Sequence, residues 1–517
     1  MTLTEEASVL IDRTETRRLS AAARLDDRTR VKLGQFFTPA PVADFIAALP
    51  HLPERATLRV LDPGAGIGSL TASLVARVLR ERPELRLHLT AFEVDRTLHD
   101  DLDATLTDCR AAAARQGMEL AFELCSTDFL KWAVENATGS LLRDESRTFD
   151  LVVMNPPYRK INSAGTERRL LARMGLRVTN LYVAFLALAA ALLDRDGQIA
   201  AITPRSFANG PYFRHFRQFF LDRMALDRIH LIESRSVGFA DADVLQENII
   251  FAATRNGGAQ AGSVMISTST GYEDMPVIRV VPYTEVVSPH DPERFLRITT
   301  DESDTRIAAT MASLPATLAD LDLGVSTGRV VDFRAREHLR AMPNDETVPL
   351  IYPGHLRQGA VRWPCTESTK PNALSRTGAT ERLLLPAEPY VLVNRFSAKE
   401  ERRRVAAAVF DPTEVPCDAI GFENHLNVFH RRHRGLPLEL ARGLCLWLNS
   451  TIVDKFVRQV NGHTQINATD LRSLRYPSMT ELVALGTAFG AGAWPHQTKI
   501  DRLVTEHVAT LGENLDG

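Results

Sequence analysis

Between residues 57 and 255 the chain alternates short apolar runs with longer stretches of helical periodicity. "TLRVLDPGAG" reads as a strand running into a glycine-rich turn, and "SLTASLVARVLRER" as an amphipathic helix. "RLHLTAFEVD", "MELAFELCSTDFL", "FDLVVMNPPY" and "GQIAAITP" read as further strands. "DDLDATLTDCRAAAARQG", the stretch opening at "NLYVAF" and "YFRHFRQFFLDRM" read as the helices between them, and "LDRIHLIES" and "ENIIFAAT" as two closing strands. Strand–helix alternation of this kind predicts a doubly wound α/β sheet of Rossmann type. "RNGGAQAG" at 255–262 breaks the alternation, and beyond it short strands and loops predict an α+β region. The expected organisation is a polar helical lead-in over 1–30, a catalytic α/β domain over 31–260, a second domain over 261–480 and a helical tail over 481–517.

In open α/β sheets, ligands lie beyond the carboxyl ends of the strands. Four predicted strand ends carry chemically distinctive residues: Asp62 with Gly64, Gly66 and Gly68; Glu93 with Asp95; Asp128 with Phe129; and Asn155-Pro156-Pro157-Tyr158. One such end is an ordinary turn, and Asn-Pro-Pro alone suits a turn. Four in succession point to a ligand laid across the sheet edge. The glycine loop fits neither GxGxxG nor a phosphate-binding GxxxxGK[ST] loop, and supplies no lysine. A carboxylate at Glu93 suits ribose hydroxyls, Asp128 an adenine amino group and Phe129 the face of its ring. The pocket therefore suits an adenosine without a pyrophosphate, with a nicotinamide-dinucleotide site as the competing reading.

Composition narrows the class without deciding the chemistry. The 517 residues, 44% hydrophobic and 24% charged, suit a soluble multi-domain protein. No run is long enough to span a membrane, and "MTLTEEASVLIDRTETRRLS" has no apolar signal core, so a cytoplasmic protein is expected. The 5 cysteines form no CxxC pair, so no metal site is expected. The net charge of −3 is not that of a general nucleic-acid coat. From Asp320 to Tyr476, however, 22 basic residues face 18 acidic ones. "VLVNRFSAKEERRR" and "NVFHRRHRGLP" suit phosphate tracks, with Arg395, Arg402, Arg403, Arg404, Arg431, Arg432 and Arg434 as candidate DNA contacts. A solvated charged face fits these segments equally well. "NGHTQINATDLR" suits base reading, or a helix cap at Asn467 to Asp470.

The order "LDPGAGIGSL", "FEVD", "TDF", "NPPY" resembles the S-adenosylmethionine-dependent amino-methyltransferases that act on DNA. "GQFFTPAPVADFIAAL", preceding the glycine loop, is similar to the extra motif of their gamma class. "LWLNSTIVDKFVRQVNGHTQINATDLRSLRYP" resembles the end of target-recognition domains in type II modification methylases of the PstI/BsuBI kind. The glycine loop departs from the pattern by ending in Gly68-Ser69-Leu70 without an aromatic residue.

The resemblance implies adenine-N6 methylation of double-stranded DNA after base flipping, no metal, and a separate cognate restriction endonuclease. It implies that Phe37, Thr38 and Pro39 lie near the methionine moiety of S-adenosylmethionine, and that Asp62 and the glycines shape its path. Glu93 then binds the ribose, and Asp128 and Phe129 the cofactor adenine. Asn155 and the Pro156 carbonyl accept from the target amine. Tyr158 stacks on the target base, and Phe239, in "VGFADADVLQEN", covers its other face unless it is a core residue. An RNA or protein-glutamine methyltransferase, and a DNA-binding module with a decayed catalytic fold, are the competing readings.

Overall fold

A computed structural model describes the chain apart from residues 1–2, 25–33, 35, 139–147, 163, 233–247, 256–261, 272–273, 290, 300, 368, 398–400, 461–464, 491 and 513–517. It divides into two compact units, Met1–Thr300 and Asp301–Gly517.

The first unit is built on a nine-stranded sheet. In chain order its elements are α1 (Leu3–Arg24), α2 (Ala40–Ala48), β1 (Thr57–Pro63), α3 (Ser69–Glu81), β2 (Arg86–Phe92), α4 (His99–Arg115), β3 (Leu120–Cys125), α5 (Phe129–Thr138) and β4 (Phe149–Met154). They continue with α6 (Thr166–Ala172), α7 (Leu181–Leu192), β5 (Leu193–Pro204), α8 (Arg214–Leu221), β6 (Met224–Ile232), β7 (Asn248–Arg255), β8 (Ser263–Ser269) and β9 (Val277–Pro282). The strand order is β3-β2-β1-β4-β5-β7-β6-β8-β9. The first five strands are parallel, and β7 is antiparallel to both β5 and β6.

The sheet is covered on both faces, which explains the continuous apolar run of β4, buried at every residue. Its one charge, Asp150, accepts hydrogen bonds from the guanidinium groups of Arg55 and Arg59 and from the Arg59 backbone N–H. One core lies under α5, α7 and α8 and includes Val152, Phe185 and Phe251. The other lies under α1, α2 and α3 and includes Leu10, Ile46 and Val75. The N-terminal helix is thus part of this core and not a separate lead-in.

Chain order reverses at β1, since β2 and β3 extend to one side and β4 and β5 to the other. Leu61 is level with Val152 across this point, so the glycine loop after β1 and the Asn-Pro-Pro-Tyr segment after β4 emerge side by side. Beyond residue 260, where the sequence alternation ends, β8 and β9 still add to the sheet through β6, which carries the first unit on to Thr300.

The second unit holds a six-stranded and a five-stranded sheet with helices, an α+β arrangement. The helices Met479–Phe489 and Gln497–His507 are integral to it: Leu482, Leu485, Ile500 and Leu503 share a core with Trp447 and Tyr476.

Candidate active site

A cavity of about 850 Å³, including its open mouth, lies at the carboxyl ends of β1, β2, β3 and β4. Gly64 and Gly66 form one wall, with φ of 77° and 59°, a left-handed backbone that favours glycine. The N–H groups of Gly64 and Ala65 both donate to the Phe92 carbonyl at 2.8 Å, which ties the loop to the end of β2. The buried Glu93 carboxylate accepts from the Gly66 N–H and the Asp95 N–H, each at 2.8 Å. Burial raises its pKa, and these backbone donors oppose the shift.

The predicted residues separate into two groups. Phe37, Gly64, Gly66, Glu93, Asp128, Phe129 and Asn155 line the cavity. Asp128 is exposed and caps α5 by accepting from the Leu130 N–H at 2.8 Å. Phe129 reaches the cavity from the core, its ring 5.5 Å from Phe92 and 5.0 Å from Phe185.

Asp62 lies behind the loop, 2% exposed, and accepts from the Thr71 hydroxyl of α3 at 2.7 Å. Burial pushes its carboxyl up to about 7. Gly68 has φ of 86° and turns the chain into α3, with a hypothetical Cβ 3.0 Å from the Leu102 side chain. These two residues build the loop that shapes the wall. Thr38, Pro39, Pro156 and Tyr158 are not among the described lining residues. Tyr182 is a buried helix residue whose hydroxyl meets the Ser206 hydroxyl at 2.8 Å. Phe239 lies outside the described residues.

Asn155 is held from three directions. Its Nδ2 donates to the Phe36 carbonyl at 2.9 Å and to Thr38 Oγ1 at 3.1 Å. Its Oδ1 accepts from the Tyr158 hydroxyl at 2.8 Å, which also lies 3.2 Å from the Ile202 carbonyl. A side-chain amide has two donors and two acceptor lone pairs. Both donors and one lone pair are occupied, so the amide retains one acceptor position.

Sequence reasoning missed three features of the cavity. Val94 is 60% exposed and lines it beside Glu93, offering an apolar face. Phe36 lines it too, and its ring lies 5.4 Å from that of Tyr158. Arg159 and Glu167 form an ion pair in its wall. The signal for Val94 was an apolar residue directly after a strand-ending carboxylate. Nothing local in the sequence pairs Arg159 with Glu167.

Among the described lining residues, Glu93, Asp128 and Glu167 face a single basic residue, Arg159, which is already paired. Such a wall disfavours a pyrophosphate. It fits S-adenosylmethionine, whose sulfonium is positive and whose adenine needs apolar cover of the kind Val94 and Phe129 supply. Among the described residues, no group of three or more His, Cys, Asp or Glu could hold a metal. No described helix is long and apolar enough to cross a membrane.

The arginines of the second unit are largely committed internally. Arg404 is 0% exposed and its guanidinium donates to the Ser397 carbonyl. Arg403 donates to the Ser450 carbonyl at 2.7 Å and to Gln497. Arg404 therefore has no surface to offer a phosphate, unlike the expectation from its place in the run, while Arg403 is partly buried. Arg395 reaches Asn467 Oδ1 and the Asn424 carbonyl at 3.3 Å. Arg434 pairs with Glu388, and Arg431 lies 3.4 Å from Asp322. Arg402 and Arg432 are exposed, Arg432 at 84% with Asp322 3.7 Å away. Asn467 opens a short helix, its N–H donating to Asp470 Oδ2 at 2.7 Å, which is the capping alternative.

Residues 84–237 match the family described as Eco57I restriction-modification methylase. The chain is 40% identical over 497 residues to the type II methyltransferase M.PstI of Providencia stuartii, covering 96% of each. It is 41% identical over 462 residues to the type II methyltransferase M.BsuBI of Bacillus subtilis, covering 89% of this chain and 90% of that one. The type IIL restriction-modification enzyme MmeI, solved in complex with DNA, shares the fold at a TM-score of 0.53 and 10% identity, over 98% of this chain and 73% of that one. With the sheet-edge cavity and full-length identity in agreement, the chain belongs to the family of type II methyltransferases that includes M.PstI and M.BsuBI.

Proposed function

We propose that the chain methylates the N6 amino group of adenine in double-stranded DNA at a specific sequence, using S-adenosylmethionine, as the modification half of a restriction system whose nuclease is a separate protein. The observation that carries the chemistry is the state of Asn155, an amide with both donors occupied and one acceptor position left. The exocyclic amine of adenine is a weak nucleophile because its lone pair is delocalised into the ring. An acceptor that takes one of its N–H bonds localises that pair. Asn155 Oδ1 is one such acceptor and the Pro156 carbonyl is the second. Pro156 and Pro157 have no N–H and fix the local backbone direction.

When bound, S-adenosylmethionine supplies an electrophilic methyl group on a sulfonium. Glu93 holds the ribose, while Val94, Asp128 and Phe129 hold the adenine ring. Gly64 and Gly66 let the backbone approach. Tyr158 stacks on the flipped target base, at about 1–3 kcal/mol per stacked base, and Phe239, outside the described residues, is the second aromatic candidate for this role. Catalysis is alignment and preorganised hydrogen bonding, with no strong base required.

The second unit chooses the sequence. A single base pocket cannot distinguish one adenine-containing site from another, whereas the major groove offers a donor/acceptor code. Arg402 and Arg432, which are exposed, contribute phosphate contacts there.

The test is incubation of the chain with methyl-labelled S-adenosylmethionine and, in parallel, duplex DNA, RNA or protein. Label is expected in DNA at adenine alone. Label in RNA or in glutamine side chains contradicts the proposal, and DNA binding without transfer supports a decayed module instead.

A further inference from the structure

The segment before the glycine loop grips Asn155 and Tyr158 together. The Tyr158 N–H donates to the Gly34 carbonyl at 3.1 Å, and a Cβ on Gly34 would lie 2.9 Å from the Tyr158 nitrogen. Two residues on, the Phe36 carbonyl takes one hydrogen of the Asn155 amide, and Thr38 Oγ1 takes the other. Thr38 is 6% exposed. Its hydroxyl faces Asn155, and it is not among the described residues that line the cavity.

We infer that Thr38 is a positioning residue for methyl transfer, acting through Asn155 and not through the cofactor. The inference rests on the reading of Asn155 as the acceptor for the target amine. The Phe36 carbonyl can only accept, so it fixes the sense of the amide: a flipped Asn155 would set its oxygen against another oxygen. Thr38 completes the clamp by occupying the second N–H. Without it, a partly buried donor lacks a partner and the amide is held by two bonds instead of three, from the Phe36 carbonyl and the Tyr158 hydroxyl. The direction of the Oδ1 acceptor then loosens, and alignment of the target amine is what this site supplies to the reaction.

The test compares Thr38→Val, which keeps shape and removes the hydroxyl, with Thr38→Ser, which keeps the hydroxyl. Turnover at saturating cofactor and duplex DNA is expected to fall about tenfold in T38V, the scale of one lost hydrogen bond in the transition state. Cofactor affinity by calorimetry and DNA affinity stay unchanged, and T38S recovers most of the turnover. In an Asn155→Ala background, T38V adds nothing further. The inference is overturned if T38V loses cofactor affinity while keeping turnover at saturation, if T38S is as impaired as T38V, or if the two losses add independently. Wild-type transfer and its loss in N155A are measured in the same series. Their absence overturns the functional reading, and this inference with it. Their presence leaves the decision to the Thr38 arm alone.

Discussion

The two units use polar residues in opposite ways. In the first, the distinctive residues fall at successive strand ends, and seven of the predicted ones converge on one cavity. In the second, the arginine-rich segment that suggested a nucleic-acid surface is partly interior: Arg404 is buried, and Arg403, partly buried, reaches Ser450 and Gln497. A parallel sheet turns sequence position into spatial position, because every strand end lies on one edge. An α+β unit of short strands has no such rule, and a basic run there says only that charge is present, not where it points.

The largest expected effect lies in the first unit. Gly66→Trp places an indole in the cavity wall at a φ of 59°, and cofactor binding by calorimetry is expected to disappear with activity. Retained binding would separate the cavity from the cofactor. Next comes Asn155→Ala, which leaves the glycine loop and the second unit intact. Turnover is expected to fall roughly 10²- to 10³-fold, the scale for removing one preorganised hydrogen-bonding group, with both affinities kept.

The contrast between the units is sharpened by two arginines two residues apart. Arg404→Ala is expected to cost on the order of 2–3 kcal/mol of stability in denaturant unfolding, because a buried carbonyl loses a charged donor. Arg402→Ala is expected to leave stability unchanged and to weaken binding to all DNA sequences alike, lowering the salt slope by about 1. The reverse pattern would restore the reading of the whole run as a phosphate track.

A further effect, read as a slope with pH, concerns Asp62. Its folded carboxyl titrates at about 7, against 3.8 for an ordinary aspartate, because it is buried with one oxygen unpartnered among the described residues. Between those values the folded state holds the proton and the unfolded state does not. Its contribution to stability is therefore complete below about pH 4 and is lost as pH rises towards 7. Denaturant midpoints across pH 4–8 should fall more steeply for the wild type than for Asp62→Asn. Parallel curves would show that Asp62 is ionised throughout.

The catalytic fold and the cavity were legible because the hydrophobic pattern and the strand-end residues are local signals. Gly64, Gly66, Glu93 and Asn155 line the cavity as their places after β1, β2 and β4 imply. The roles of Asp62 and Gly68 were less legible, since a glycine loop in sequence does not say which of its residues face the ligand and which support the turn. The resemblance set Thr38 beside Phe37 at the cofactor; in the structure Phe37 lines the cavity while the Thr38 hydroxyl reaches Asn155, because adjacent side chains in an extended segment point apart. The ends of the units were illegible for a similar reason. β8 and β9 join the sheet through register with β6, and Leu482 and Ile500 enter a core whose other members are far away in sequence.

The central claim is that the edge beyond β1 to β4 methylates adenine N6 in DNA. DNA from cells expressing the wild-type chain, hydrolysed to nucleosides and separated by chromatography with mass detection, tests it directly against DNA from cells expressing N155A. N6-methyladenine is expected with the wild type and far less of it with the variant. Methylated cytosine in its place, or equal N6-methyladenine from both, would contradict it.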